Sequence, residues 1–125
     1  MSARNVVAVV PDLFFSTRIA ETAKALGITL TLTPLARASQ VIAESVPALV
    51  LLDLHAAGDP LALVRTLKQD AATAAVPIVG FYSHIEDDLR RAALEAGIDQ
   101  ALPRSAFTQR LAALLSGEIP ATRMP

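Results

Sequence analysis

Short apolar segments alternate with stretches of helical period along the chain, and this alternation restricts the fold more than any other feature. Five apolar segments are each followed by a stretch in which apolar residues recur every three or four positions. The first segment, residues 6–10, is closed by Pro11, and residues 48–52 form the most hydrophobic one. Continuous apolar runs of this kind are typical of strands buried on both faces of a parallel sheet.

Proline, glycine and short polar residues mark the ends of the predicted helices. Gly27 and Gly97 follow the first and fourth helical stretches, where a glycine commonly ends a helix. We expect Thr33 to cap the second helix, Asp59 the third and Ser105 a single last helix, because a side-chain oxygen at these positions accepts a free helical N–H.

Strict alternation of strand and helix predicts parallel strands joined by right-handed crossovers, with helices on both faces. We therefore expect an α/β fold of the flavodoxin-like type, a (βα)5 three-layer sandwich with a five-stranded parallel sheet in the order 2-1-3-4-5. The length of 125 residues fits one domain, which we place at residues 1–117. Residues 118–125 contain two prolines and show no period, so we predict a flexible C-terminal tail there.

Composition argues against several functional classes. Eleven basic and twelve acidic residues give a net charge of −1, which argues against charge-driven binding of nucleic acid or anionic membranes. The absence of cysteine excludes disulfides, thiolate nucleophiles and cysteine zinc sites, and two histidines are too few for a histidine-rich metal centre. No segment approaches the ~20 apolar residues of a membrane span, and none resembles a signal-peptide core, so we expect a cytoplasmic protein.

Two aspartates mark the predicted carboxyl ends of the first and third strands. Asp12 follows the first strand and Asp53 ends the third. In the order 2-1-3-4-5 these strands are neighbours, and ligands of such sheets bind at their carboxyl edge where the strand order reverses. Facing carboxylates either share a proton or recruit a cation, and Mg²⁺ favours such oxygen ligands. The alternatives are that Asp12 only caps the first helix and that Asp53 only lies in a hydrated crevice.

Three segments, in this order and spacing, carry a resemblance to a known family. Residues 48–54, ALVLLDL, resemble the strand that ends in the phospho-accepting aspartate of receiver domains in bacterial response regulators. Residues 76–79, VPIV, resemble the start of the fourth strand of these domains, and residues 91–99, RAALEAGID, resemble the run that follows it. The resemblance extends over residues 6–115.

The resemblance implies a phosphoacceptor and a metal site. Asp53 would take a phosphoryl group from a phosphohistidine of a sensor histidine kinase or phosphotransfer protein. Mg²⁺ would be held by Asp12, by Asp53 and by the backbone carbonyl of His55. Pro11 stands where the family has the first residue of an acidic pair, which predicts weak metal binding.

Further family positions are altered in this chain. Counting forward from Asp53, Ser83 matches the family's Thr or Ser at the end of strand four. Counting forward from Pro77 or back from Gly97 gives Tyr82 instead. Arg104 stands at the place of the phosphate-pairing lysine, and Ala101 at the place of the aromatic residue that reports switching. The resemblance therefore implies Ser83 and Arg104 as phosphate contacts.

Three functions are compatible with these residues. The first is a stand-alone receiver-like signalling domain, not an enzyme, in which phosphorylation of Asp53 with divalent-cation assistance switches a surface read by a downstream protein partner. The alternative is a pseudo-receiver, a protein-interaction module that works without phosphate. A magnesium-dependent hydrolase or phosphatase is disfavoured, because no general acid or base is placed beside Asp53. The apolar face at Leu111–Leu115 is a candidate homodimer surface, and core packing is its alternative.

Overall fold

The computed structural model describes residues 4–83 and 87–117, and the predicted tail at residues 118–125 lies outside the described residues. The strands are β1 (Asn5–Val9), β2 (Thr29–Leu32), β3 (Leu49–Asp53), β4 (Ile78–Tyr82) and β5 (Gln100–Pro103). The helices are α1 (Leu13–Ala25), α2 (Leu35–Ser45), α3 (Pro60–Gln69), α4 (Asp87–Ala96), α5 (Arg104–Gln109) and α6 (Leu111–Leu115). Within the described ranges, no helix is both long enough and apolar enough to span a membrane.

The five strands form one parallel sheet in the order β2-β1-β3-β4-β5, which confirms the predicted flavodoxin-like fold. Helices α2, α3 and α4 bury their apolar side chains against one face of this sheet, and α1, α5 and α6 against the other. The side chains of β1, β3 and β4 contribute to both cores because they alternate between the faces. The sandwich therefore brings the carboxyl ends of β1 and β3 to the same edge as neighbours.

The entries into the helices agree only partly with the prediction. Asp59 caps α3 as predicted, because its carboxylate accepts the N–H three residues further on at 3.1 Å. The predictions for Thr33 and Ser105 are wrong, since α2 and α5 each follow a proline and have no side-chain cap. Pro34 and Pro103 have φ values of −70° and −58°, so the fixed proline ring directs the chain into the helix without a capping oxygen.

The last helical stretch is divided into α5 and α6, where the sequence predicted one helix. The N–H of Arg110 is shared between the carbonyls of Ala106 and Phe107, at 3.1 and 3.2 Å, which distorts the helical ladder at this residue. The leucines of α6 are all buried in the core that α6 shares with α1. Core packing therefore accounts for the Leu111–Leu115 face, and the prediction of a homodimer surface there is wrong.

A lysine anchors the two loops that precede β4 and β5. The ammonium of Lys68 donates to the carbonyls of Ala74 and Val76, at 3.2 and 2.9 Å, and to the Asp99 carboxylate at 2.9 Å. The same Asp99 oxygen accepts the N–H of Ile78 at 2.7 Å. Since these groups come from both loops, Lys68 fixes where the two strands enter the sheet.

Candidate functional site

The sheet places the two predicted aspartates at the same edge. Val9 of β1 pairs with Leu52 of β3, so the two strands end side by side. Asp53 is the last residue of β3 and is half-buried, while Asp12 lies exposed between β1 and α1. The strand order thus produces the juxtaposition that the sequence predicted, at the carboxyl edge where α/β sheets bind ligands.

Both carboxylate oxygens of Asp12 accept hydrogen bonds from this chain. One oxygen accepts the N–H of Phe15 at 3.1 Å, which caps α1, and the other accepts Nη2 of Arg104 at 3.3 Å. The Phe15 N–H and the Arg104 guanidinium lower the pKa of Asp12 below its ordinary value, although partial desolvation acts in the opposite direction. Asp12 is therefore the helix cap considered from the sequence and also one half of an ion pair.

The guanidinium of Arg104 lies on an aromatic cluster. Its central carbon is 4.1 Å from the ring centroid of Phe15, within the distance of a cation–π contact. The Phe15 ring meets the Phe81 ring edge-on at 5.1 Å and the Phe107 ring at 5.7 Å. Because Phe15 contacts Asp12 through its N–H and Arg104 through its ring, one residue positions both members of the ion pair.

The sequence did not indicate this platform, by which we mean the Phe15 ring beneath the Arg104 guanidinium. The helical spacing of Phe15 predicts a core position, which is confirmed, but spacing carries no information about the guanidinium above the ring. The available signal was the position of Phe15 three residues after Asp12, in the first turn of a helix that starts at the ligand-binding edge.

Asp53 contacts the loop that follows β3. One of its oxygens accepts the N–H of His55 at 2.8 Å, a local turn of the kind that aspartates commonly form. This bond orients the Asp53 carboxylate at the end of the strand. The role of the His55 carbonyl as a metal ligand, implied by the resemblance, stays a prediction.

Tyr82 and Ser83 lie in different environments. Tyr82 is the last residue of β4, pairs with Pro103 and is 5% exposed within the core on the α2–α4 face. Ser83 follows β4 directly and is exposed. The preceding residue Phe81, in register with Asp53, belongs to the opposite core. Tyr82 is thus almost wholly buried whereas Ser83 is exposed, and the role of Ser83 as a phosphate contact stays a prediction.

The donor groups at this edge do not fit the divalent-cation site that the resemblance implies. A magnesium ion needs carboxylate oxygens free to bind it, but both oxygens of Asp12 are engaged and its charge is balanced by Arg104. Pro11 offers no side-chain ligand in place of the missing acidic residue. Residues 4–83 and 87–117 contain no group of three or more His, Cys, Asp or Glu side chains arranged to hold a metal.

The fold and its carboxyl-edge site place the chain among doubly wound α/β domains, and solved structures narrow this class. The signal receiver domain of a DNA-binding response regulator from Colwellia psychrerythraea 34H is 17% identical, with a TM-score of 0.79 over 90% of this chain and 96% of that one. The BeF₃-activated receiver domain of RstA from Klebsiella pneumoniae is 29% identical, with a TM-score of 0.75 over 90% and 98%.

A third structure is the receiver domain of a sensor histidine kinase from Pseudomonas aeruginosa PAO1, which has magnesium coordinated in its active-site cleft. It is 18% identical, with a TM-score of 0.76 over 93% of this chain and all of that one. No family model and no curated protein sequence matches the chain. The chain has the fold of a response regulator receiver domain, which confirms the resemblance predicted from its sequence.

Proposed function

We propose that this chain is a receiver-like signalling domain that acts as a protein-interaction module without phosphorylation. The observation that supports this proposal is the ion pair between Arg104 and Asp12 at the carboxyl edge of the sheet. Phosphoryl transfer to a carboxylate requires cations that neutralise the incoming oxygens, and metal ions commonly supply this charge. Here the Arg104 guanidinium is already paired with Asp12. In addition, Pro11 replaces one of the acidic residues that would recruit a metal ion.

Exposed apolar side chains next to this ion pair support an interaction role. Leu13 and Phe14, in the first turn of α1, are 76% and 90% exposed. Aromatic and aliphatic side chains of this kind are frequent anchors of protein–protein contacts. Because they follow Asp12 directly, a partner that bound them would contact the edge that Arg104 holds together.

The second candidate function is phosphorylation-dependent signalling. In it, Asp53 accepts the phosphoryl group of a sensor histidine kinase or phosphotransfer protein with Mg²⁺ assistance, and Ser83 and Arg104 contact the phosphate. The half-buried position of Asp53 at the end of β3, beside the strand that Ser83 follows, favours this candidate. It requires Arg104 to leave Asp12 and turn to the phosphate.

Intact-protein mass after incubation with Mg²⁺ and a small acyl phosphate separates the two candidates. We expect no mass increase in the wild type, while an established receiver domain in the same mixture gains a phosphoryl group and shows that the donor is active. A phosphoryl group on the wild type that Asp53→Ala abolishes would replace our proposal with the second candidate.

Partner capture tests the interaction role directly. With immobilised wild type and Asp53→Asn as baits, we expect the same partners at the same yield, because in our proposal the Asp53 carboxylate does not accept a phosphoryl group. Phe14→Ser should lower the yield, since it removes the most exposed aromatic ring of α1. Partners that are lost with Asp53→Asn and retained with Phe14→Ser would contradict the proposal.

A further inference from the structure

We propose that Arg104 is a tethered cation, whose guanidinium occupies Asp12 and thereby keeps divalent cations away from this edge of the sheet. The inference rests on the proposed function and deepens it, because it identifies the group that makes the site independent of metal. The Arg104 side chain lies beside the Asp12 carboxylate, where a bound metal ion would otherwise lie.

Two contacts hold the guanidinium in this place, and a third holds its partner. The Nη2 of Arg104 lies 3.3 Å from one oxygen of Asp12, and the central carbon of the guanidinium lies 4.1 Å from the centroid of the Phe15 ring. The other Asp12 oxygen accepts the Phe15 N–H at 3.1 Å. Asp12 and Arg104 are 92 positions apart, so the pair connects the β1–α1 junction to the start of α5. A planar guanidinium suits this arrangement, since its edge donates to a carboxylate while its face stacks on a ring.

The position of the positive charge decides what else binds there. A divalent cation at Asp12 would lie within a few ångströms of the guanidinium, and like charges at that distance repel even near the surface. To bind Asp12, the cation would have to displace Arg104 and also give up some of its own water ligands. Magnesium in particular gives up its water ligands reluctantly. With Arg104 in place, Asp53 is the remaining carboxylate of the pair.

Removing the guanidinium reverses both effects. A neutral residue at position 104 frees one oxygen of Asp12 and deletes a positive charge beside it. Asp12 and Asp53 then present two carboxylates at the ends of neighbouring strands, which is a weak site for a hard cation. The inference thus predicts that a loss of charge at position 104 creates metal affinity.

Titration with Mn²⁺, followed by the electron paramagnetic resonance signal of the free ion, tests this prediction. We expect Arg104→Gln to bind Mn²⁺ at least about tenfold more tightly than the wild type. Arg18→Gln removes the same charge from an exposed position on α1 and should bind as weakly as the wild type. Adding Asp12→Asn to Arg104→Gln should abolish the gain.

One further variant keeps the inference testable if Arg104→Gln does not fold. Phe15→Leu removes the ring under the guanidinium and should raise the affinity by a smaller factor than Arg104→Gln.

Equal Mn²⁺ affinities of wild type and Arg104→Gln, or an equal gain in Arg18→Gln, would overturn the inference. In the event of a misfolded Arg104→Gln, an unchanged affinity in Phe15→Leu would do the same. Phosphoryl uptake by the wild type contradicts the proposed function and not these affinities, so the two failures are distinguishable.

Discussion

A double-mutant cycle between Phe15 and Arg104 measures the contact on which the site depends. Phe15→Leu removes the ring contacts to Phe81 and Phe107, each worth about 0.5–1.5 kcal/mol beyond area burial, so we expect it to cost about 1–3 kcal/mol of unfolding free energy. Arg104→Gln removes a guanidinium 4.1 Å from the Phe15 centroid, a partly exposed cation–π contact worth about 0.5–1 kcal/mol. The double variant should therefore lose about 0.5–1 kcal/mol less unfolding free energy than the two single variants lose together.

Urea unfolding followed by far-ultraviolet circular dichroism is a suitable assay for this cycle. With a slope of about 1–3 kcal/mol per molar urea for a small domain, the coupling corresponds to a shift of a few tenths of a molar in midpoint. The matched cycle of Phe15→Leu with Arg37→Gln should show no coupling, since Arg37 is exposed on α2, which packs on the opposite face of the sheet from Phe15. Additive losses in the first cycle, or the same coupling in both, would refute the assignment of Phe15 as the platform of Arg104.

Three further predictions concern the scaffold and the ion pair. Gly80→Ala should lower stability by about 1–3 kcal/mol in urea unfolding, because the new Cβ would lie 2.7 Å from Cδ1 of Ile98 and 3.0 Å from Cγ of Leu54, both in the buried core; unchanged stability would contradict this packing. Lys68→Met should cost about 1.5–3 kcal/mol through the loss of hydrogen bonds to two loop carbonyls, and hydrogen exchange should accelerate in the loops before β4 and β5 and not in β1. The lowered pKa of Asp12 stabilises the fold at pH values above the pKa of the unfolded chain, and this contribution is lost as the pH falls through the lower folded value. Urea midpoints of Asp12→Asn should accordingly fall less with acid than those of the wild type, and parallel profiles would contradict the pairing of Asp12.

The parallel strands and the helices that connect them could be predicted because they depend on features that are local in sequence. The order 2-1-3-4-5 followed from the flavodoxin-like fold type and not from any one segment. Each apolar run, such as residues 48–52, is long enough to form a buried strand. The stretches of helical period between the runs form the helices that connect parallel strands. The position of Asp53 at a strand end follows from the same pattern. The division at Arg110 could not be predicted, because apolar spacing on either side of it continues the helical period, while the backbone of Arg110 departs from helical geometry, at φ −100° and ψ 5°.

The bonding of the site residues depends on contacts between distant parts of the chain. The sequence indicated that Asp12 and Asp53 lie at one edge, and it left open whether Asp12 caps a helix or binds an ion. The structure shows the cap, and it adds an ion pair to Arg104 that no local pattern encodes, since the partners are 92 positions apart. The burial of Tyr82 likewise depends on the register of β4 with its neighbours, which the competing counts from sequence landmarks did not resolve.

The most direct test of the account is a Mg²⁺ titration of the ¹⁵N-labelled wild-type protein by nuclear magnetic resonance. We predict that the backbone signals of Asp12, Asp53 and His55 and the side-chain Nε signal of Arg104 stay in place at millimolar Mg²⁺, because the guanidinium holds Asp12. Saturable shifts of these signals, together with release of the Arg104 side chain, would show that a divalent cation displaces the ion pair and would contradict the central claim.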